Sequence, residues 1–143
     1  MKLLSTEAID KYDFVKTYSN VKEYMSNFED DYYRYISVLP PSITSHFSEI
    51  KVQSSFNTTS PIESYLIKKT EKEKAFADTL NVILKVVYSF NAEEQRYFKG
   101  IFFLGNTDVL ILEELQCSEN KLKHIKKSSI IKFALAIGIA VLK

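Results

Sequence analysis

Several residue types are scarce in this sequence of 143 residues, and each scarcity argues against a class of protein. A single cysteine excludes an internal disulfide and a zinc site built from cysteines. The three glycines, Gly100, Gly105 and Gly138, form no phosphate-binding loop. The two histidines, His46 and His124, have no acid nearby at the spacing of metal ligands. We therefore expect no metal, no cofactor and no enzymatic activity.

Long hydrophobic runs are also missing. The longest apolar stretch, Ile130–Leu142, is interrupted by Lys132. As a helix it spans about 20 Å, which is short of the ~30 Å hydrocarbon core of a bilayer. The start, Met1-Lys2-Leu3-Leu4, is followed at once by polar residues and does not resemble a signal peptide. These features predict a cytoplasmic protein, associated with the nucleoid if it binds DNA, and no membrane partner.

The composition favours helices, and the charge is unevenly distributed. Hydrophobic residues make up 45% of the chain, whereas there are only three glycines and three prolines, so we predict an all-α fold. The formal net charge is +1, which excludes a histone-like polycation. Residues 1–35 hold seven acids and five bases, whereas residues 101–143 hold six bases and four acids.

Residues that break or cap helices divide the sequence into three predicted regions. Residues 1–39 read as an N-terminal helical region of two short helices, with a break at Tyr18-Ser19-Asn20. Residues 40–60 are rich in Ser and Thr and read as a linker. Residues 61–143 read as a C-terminal unit of four helices, of which the first begins at Ser60-Pro61. The four predicted helices span residues 61–90, 92–104, 107–115 and 118 to about 138.

The most informative segment is Ser118–Phe133, which has the pattern of a capped amphipathic helix. Ser118 is a favourable N-cap residue. Apolar or small residues recur at spacings of three and four, which predicts one buried seam: Leu122, Ile125, Ser129 and Phe133. The other faces carry Asn120, Lys121, Lys123, His124, Lys126, Lys127 and Ser128. A slim rod that is apolar only where it docks on its own domain suits the major groove of DNA.

The preceding residues suggest a helix-turn-helix. Thr107–Leu115 reads as a short helix with a cap signal at Asn106-Thr107, and Gln116-Cys117 then makes a tight turn into Ser118. Gln116 stands where such turns often have glycine in a left-handed conformation. We expect Cys117 to be a small buried hydrophobe. The alternative interpretation is a basic solvated face on an ordinary helical bundle.

These segments carry a family resemblance. Asn91–Phe98, Thr107–Leu115 and Ser118–Phe133 together resemble region 4 of bacterial sigma factors. More narrowly, they resemble the late-gene regulators of Gram-positive phages of the RinA, ArpU and LtrC type, whose layout the chain shares. The resemblance implies a sequence-specific transcriptional activator of phage or prophage late genes, which encode packaging, structural and lysis proteins. The implied partners are double-stranded promoter DNA and host RNA polymerase.

The resemblance also assigns contact residues. By position, five residues would reach bases or phosphates: Asn120, Lys121, Lys123, His124 and Lys127. Thr107 and Ser118 would lie near phosphates. Asn can pair bidentately with adenine and Lys with guanine acceptors, although lysines contact phosphates equally well. The acidic N-terminal region should contribute little direct DNA contact. It should pack on the C-terminal unit or on a second copy, in the latter case giving a homodimer.

Two other functions fit the same sequence. One is a protein-interaction module, in which a degenerate helix-turn-helix accompanies a partner-binding surface on the acidic, tyrosine-rich N-terminal region. The other is a DNA-binding subunit similar to small terminases, which form large rings.

Overall fold

The computed structural model describes residues 3–36 and 70–143, and within these ranges the protein is all α-helical, as predicted. The described residues contain no β-strand beyond one isolated antiparallel bridge between Tyr12 and Leu142. The helices are α1 (Thr6–Asp10), α2 (Phe14–Tyr35), α3 (Glu71–Tyr88), α4 (Ala92–Phe102), α5 (Asp108–Leu115) and α6 (Glu119–Ile137).

The first two helices divide earlier than predicted. α2 runs without interruption through residues 18–20, so the predicted break at that position is wrong. The chain breaks instead before Asp13, whose Oδ1 accepts a hydrogen bond from the Lys16 backbone N–H at 3.1 Å. This cap satisfies a donor of the first turn and starts α2. Asn20 stays helical, and its side chain donates to the Ile139 carbonyl at 3.1 Å.

Side-chain caps also begin the next two helices. Thr70 caps α3 through its bond from the Glu73 backbone N–H. Thr70 itself is extended, with ψ 164°, so the prediction of one unbroken helix over residues 61–90 is wrong at this position. The predicted helix start at residues 60–61 and the predicted linker 40–60 lie outside the described residues. α4 has a full capping box, in which Asn91 and Glu94 each accept the other's backbone N–H. α3 and α4 each end two residues earlier than predicted.

One hydrophobic core joins the N-terminal and C-terminal helices. α2 lies against α6 and α3, and the Phe28 ring stacks on Phe76 at 5.5 Å between centroids. The Tyr24 ring meets Phe133 edge-on at 5.9 Å. The N-terminal helices therefore pack on the C-terminal unit, which was one of the two arrangements that the sequence allowed. α6 therefore packs against both α2 and α4.

The C-terminal residues are tied back to the start of α2. α6 ends at Gly138, which has a left-handed φ of 86°. The Val141 carbonyl accepts from the Asp13 backbone N–H at 2.8 Å, and the Val141 N–H donates to Thr17 Oγ1 at 3.0 Å. The apolar run Ile130–Leu142 is therefore part helix and part extended chain. None of the described helices is both long enough and apolar enough to cross a membrane.

A buried lysine in α4 should make stability depend on pH. Lys99 is 2% exposed and its Nζ lies 4.4 Å from the Tyr88 ring centroid. Burial lowers the pKa of Lys99 to about 8, below its ordinary 10.5. Between these pH values the unfolded chain holds a proton that the folded chain has released, so stability rises with pH in this window.

Lys99→Met removes the titrating group and should therefore remove this rise. We expect the melting temperature of the wild type, relative to that of Lys99→Met, to increase as the pH rises from 8 to about 10. Thermal melts of both proteins across this range make the comparison. Parallel pH profiles for the two proteins would show that Lys99 keeps its proton when folded.

Candidate nucleic-acid interface

α5, a short turn and α6 follow one another in the order predicted for a helix-turn-helix, and both helices begin at the predicted caps. The Thr107 hydroxyl accepts from the Leu110 backbone N–H at 3.3 Å, and the Ser118 hydroxyl from Lys121 N–H at 3.1 Å. Gln116 takes the left-handed conformation, with φ 51° and ψ 43°, that was expected at the position where glycine is common. Its backbone N–H donates to the Leu112 carbonyl, which ends α5.

Close packing on α4 fixes the position of α5. Ile111 is the buried residue of α5, and it lies directly over Gly100 of α4. A Cβ on Gly100 would come within 2.9 Å of Ile111 Cδ1, so the end of the Ile111 side chain would have to move to admit a side chain there. The Tyr97 hydroxyl donates to Asp108 Oδ1 at 2.8 Å. Burial and the Asp108 carboxylate raise the pKa of Tyr97, which keeps this hydroxyl a donor.

The four predicted seam residues of α6 are all buried: Leu122, Ile125, Ser129 and Phe133. The placement of Ser128 on an outer face was wrong, because its side chain is fully buried against α4. Its Oγ donates to Glu94 Oε2 at 2.7 Å and accepts from the Leu4 backbone N–H at 2.8 Å. From Ser128 to Ala134 every residue of α6 is buried, so its polar exposed residues lie in its first half.

Three of the predicted contact residues share one exposed face of α6. Asn120, Lys123 and Lys127 follow at spacings of three and four and are all exposed. We call this set the basic stripe. It extends over about 10 Å along the helix axis, at 1.5 Å per residue. The stripe brings one amide and two ammonium groups to a single surface at the start of α6.

Lys121 is exposed beside the stripe and already has a partner. Its Nζ lies 3.3 Å from Glu93 Oε2 of α4. Lys126, on the other flank, lies 3.0 Å from Asp108 Oδ2 of α5. The Lys121 pair is about half exposed, and pairs of this kind contribute at most about 1 kcal/mol. A phosphate can therefore compete with Glu93 for Lys121.

His124 is directed at the protein itself rather than at the stripe. Its Nε2 lies 2.7 Å from the Leu4 carbonyl oxygen, and the ring is half-buried. Because a carbonyl only accepts, Nε2 must carry the hydrogen. His124 and Ser128 thus hold both backbone groups of Leu4. The sequence signal for a ligand-facing histidine was its place on the polar side, which also fits contact with the N-terminal segment.

The exposed Thr107 and Ser118 lie at the starts of α5 and α6. Each hydroxyl oxygen accepts a capping bond, and its hydrogen remains a donor suited to an anion at the helix N-terminus. The surface also carries acids, among them Asp108 at the start of α5 and Glu119 at the start of α6. The arrangement is therefore a narrow basic stripe with acidic neighbours, and not a broad basic patch.

Other chemistry has little support in the described part of the chain. Cys117 is half-buried and packs against the core as a small hydrophobe. Within residues 3–36 and 70–143 no group of three His, Cys, Asp or Glu side chains is placed to hold a metal ion.

Comparison with protein-family models, curated proteins and solved structures finds no match to this chain.

Proposed function

We propose that this protein is a sequence-specific DNA-binding regulator that activates late genes of a phage or prophage. The observation that carries the DNA-binding part is the basic stripe, which lies exposed at the start of α6, the second of two capped helices joined by a short turn. Major-groove readers place the first turns of this helix against base edges. The late-gene role rests on the family resemblance of the segments 91–98, 107–115 and 118–133.

The stripe supplies complementary chemistry for a duplex. The Asn120 amide is suited to the N6 and N7 positions of adenine. The ammonium groups of Lys123 and Lys127 are suited to guanine acceptors or to phosphates, and phosphate contacts fix the register of the protein on DNA. Lys121 and the hydroxyls of Thr107 and Ser118 would add backbone contacts. We assign His124 to holding Leu4 and not to DNA.

Activation and assembly belong to the same proposal. Host RNA polymerase would be the protein partner, and the protein would act in the bacterial cytoplasm at the nucleoid. A homodimer over two half-sites would supply the length of contact that promoter binding requires.

Substitutions in the stripe test DNA binding directly. Duplexes selected from a random pool serve as probes, and binding is measured by fluorescence anisotropy. Asn120→Ala and Lys123→Ala should each cost about 1–3 kcal/mol of binding free energy if they read bases. Because both side chains are exposed, the melting temperature should stay nearly unchanged. Lys85→Ala, an exposed lysine on α3, is the matched control and should bind like the wild type.

Three results would count against this proposal. In the first, selection enriches no duplex. In the second, the affinity does not change with salt concentration, whereas phosphate contacts release counterions and would make the affinity fall as salt rises. In the third, Lys85→Ala weakens binding as much as Lys123→Ala does. Each of these outcomes would leave the stripe as an ordinary solvated helix face.

One observation favours a protein-interaction module as the second candidate. A cavity of about 290 Å³ lies between α2 and the turn that precedes α5. Its lining combines apolar residues, aromatic rings and the Glu29 carboxylate, and Tyr33 at its edge is 71% exposed. Aromatic side chains are enriched at protein interfaces. If this candidate is correct, Tyr33→Ala should abolish binding of the protein partner, whereas the stripe variants should still bind it.

A further inference from the structure

Three lysine ammonium groups lie close to two aromatic rings at the start of α2. Phe14 and Tyr18 stack with their centroids 5.5 Å apart. The Nζ atoms of Lys22 and Lys126 lie 4.3 and 4.9 Å from the Tyr18 centroid. Lys127 Nζ lies 5.7 Å from the Phe14 centroid. We call these five residues the Tyr18 patch. It joins side chains of α2 with side chains of α6.

The charges of the patch are only partly compensated within the described residues. Lys126 is paired with Asp108. Lys22 and Lys127 are exposed, and neither forms an ion pair with a carboxylate in residues 3–36 or 70–143. Lys22 and Lys126 are at most about 9 Å apart, because both lie against the same ring. Their mutual repulsion is relieved when an anion binds between or beside them.

The rings also restrict the lysines. An ammonium over an aromatic face is attracted by the ring quadrupole, and the aliphatic stem packs along the ring. Lys22 and Lys127 are therefore already held near one position before a ligand arrives. Ordered donors of this kind lose less conformational entropy on binding than free surface lysines do.

Lys127 belongs to both the basic stripe and the Tyr18 patch. The patch therefore connects the stripe on α6 with Lys22 on α2 through the Phe14 and Tyr18 rings. A duplex that lies against Asn120 and Lys123 would bring its backbone towards this side of Lys127. Two acids adjoin the patch in sequence: Asp13, which is engaged in capping α2, and the exposed Glu23 beside Lys22.

We propose that the Tyr18 patch binds phosphate groups of the duplex whose groove receives the stripe. The inference rests on the proposed DNA binding and extends it to a second element of the protein. It replaces the expectation from charge counts that the N-terminal region contributes little contact with DNA. The contacts would be to the sugar-phosphate backbone, so they would add affinity for any sequence and no specificity.

Salt titration of the full chain separates this contact from others. The probe is a random-sequence duplex of about two helical turns. Each lost phosphate contact should make the slope of log affinity against log salt less steep by about 0.9. We expect this change for Lys22→Gln, whereas the control Lys85→Gln should keep the wild-type slope. Because Lys22 is exposed, both variants should melt like the wild type.

A second variant tests the role of the ring. Tyr18→Leu keeps every charge but removes the aromatic face. It should weaken binding of the random duplex several-fold while the salt slope stays near that of the wild type. Its melting curve identifies any general loss of folding.

The outcomes distinguish the two proposals. If Lys123→Gln lowers the slope and Lys22→Gln does not, the Tyr18 patch makes no DNA contact while the stripe keeps its role. If Lys22→Gln changes the preference among selected duplexes, the contact is to bases and this inference is wrong. If the wild type binds no duplex, DNA binding itself fails and the patch proposal fails with it.

Discussion

Replacing Glu94 with alanine is expected to lower the free energy of unfolding by about 3–5 kcal/mol, because it leaves a buried ammonium without its carboxylate. Glu94 is fully buried, and its Oε1 accepts from Lys132 Nζ at 2.7 Å. Its Oε2 accepts from Ser128 Oγ, and its Oε1 also accepts the Asn91 backbone N–H. One carboxylate therefore joins the cap of α4 to two residues of α6.

Urea denaturation followed by circular dichroism measures this effect. The control is Glu114→Ala, which removes the half-exposed ion pair with Arg96 and should cost at most about 1 kcal/mol. In the double variant Glu94→Leu with Lys132→Leu, apolar side chains replace both charges, and much of the lost stability should return. If Glu94→Ala costs no more than Glu114→Ala, the ion pair is not the main tie between α4 and α6.

Local signals account for what the sequence predicted well. The caps Asn91, Thr107 and Ser118 act on backbone groups three residues away, so they can be recognised without the fold. The seam of α6 was visible because a helix that is buried on one side repeats its apolar residues. The left-handed Gln116 was likewise indicated by its place in a tight turn.

Long-range contacts account for what the sequence did not predict. Ser128 sits among lysines, and only its bond to Glu94, 34 residues away, explains its burial. The family resemblance assigned His124 to DNA by its position, whereas in the structure its Nε2 lies 2.7 Å from the carbonyl oxygen of Leu4, 120 residues away. The close contact of Gly100 is with Ile111 of α5, 11 residues away. The spacing of residues within a single helix cannot reveal partners that lie in other parts of the chain.

The break in the N-terminal region shows how two local signals compete. Ser19 and Asn20 are residues that favour turns, as is Asp13. Asp13 caps a helix whose next residues pack on the core, and Thr17 is fully buried there against the Val141 segment. Contacts with the C-terminal residues thus help to fix where α2 begins. The sequence of α2 alone does not reveal these contacts.

Phe98 lies at the centre of a group of aromatic rings that joins α4 to α6. Its ring centroid is 4.6 Å from that of Phe102 and 4.6 Å from that of Phe133. The Phe90 and Phe103 rings meet it edge-on at 5.8 and 6.3 Å. Phe98 itself is fully buried. The helix that carries the basic stripe is therefore anchored through Phe133 on this ring.

Phe98→Ala should lower the free energy of unfolding by about 3–5 kcal/mol, because it removes a buried ring and leaves a cavity among four others. Urea denaturation checks the value, and Tyr33→Ala, which truncates an exposed ring, should stay within about 0.5 kcal/mol of the wild type. In a double-mutant cycle with Phe133→Ala, the two losses should not add, since the rings are in contact. Additive losses, or a cost as small as that of Tyr33→Ala, would contradict the central position of Phe98. At a temperature where Phe98→Ala stays folded, its DNA affinity should match the wild type, because the stripe is intact.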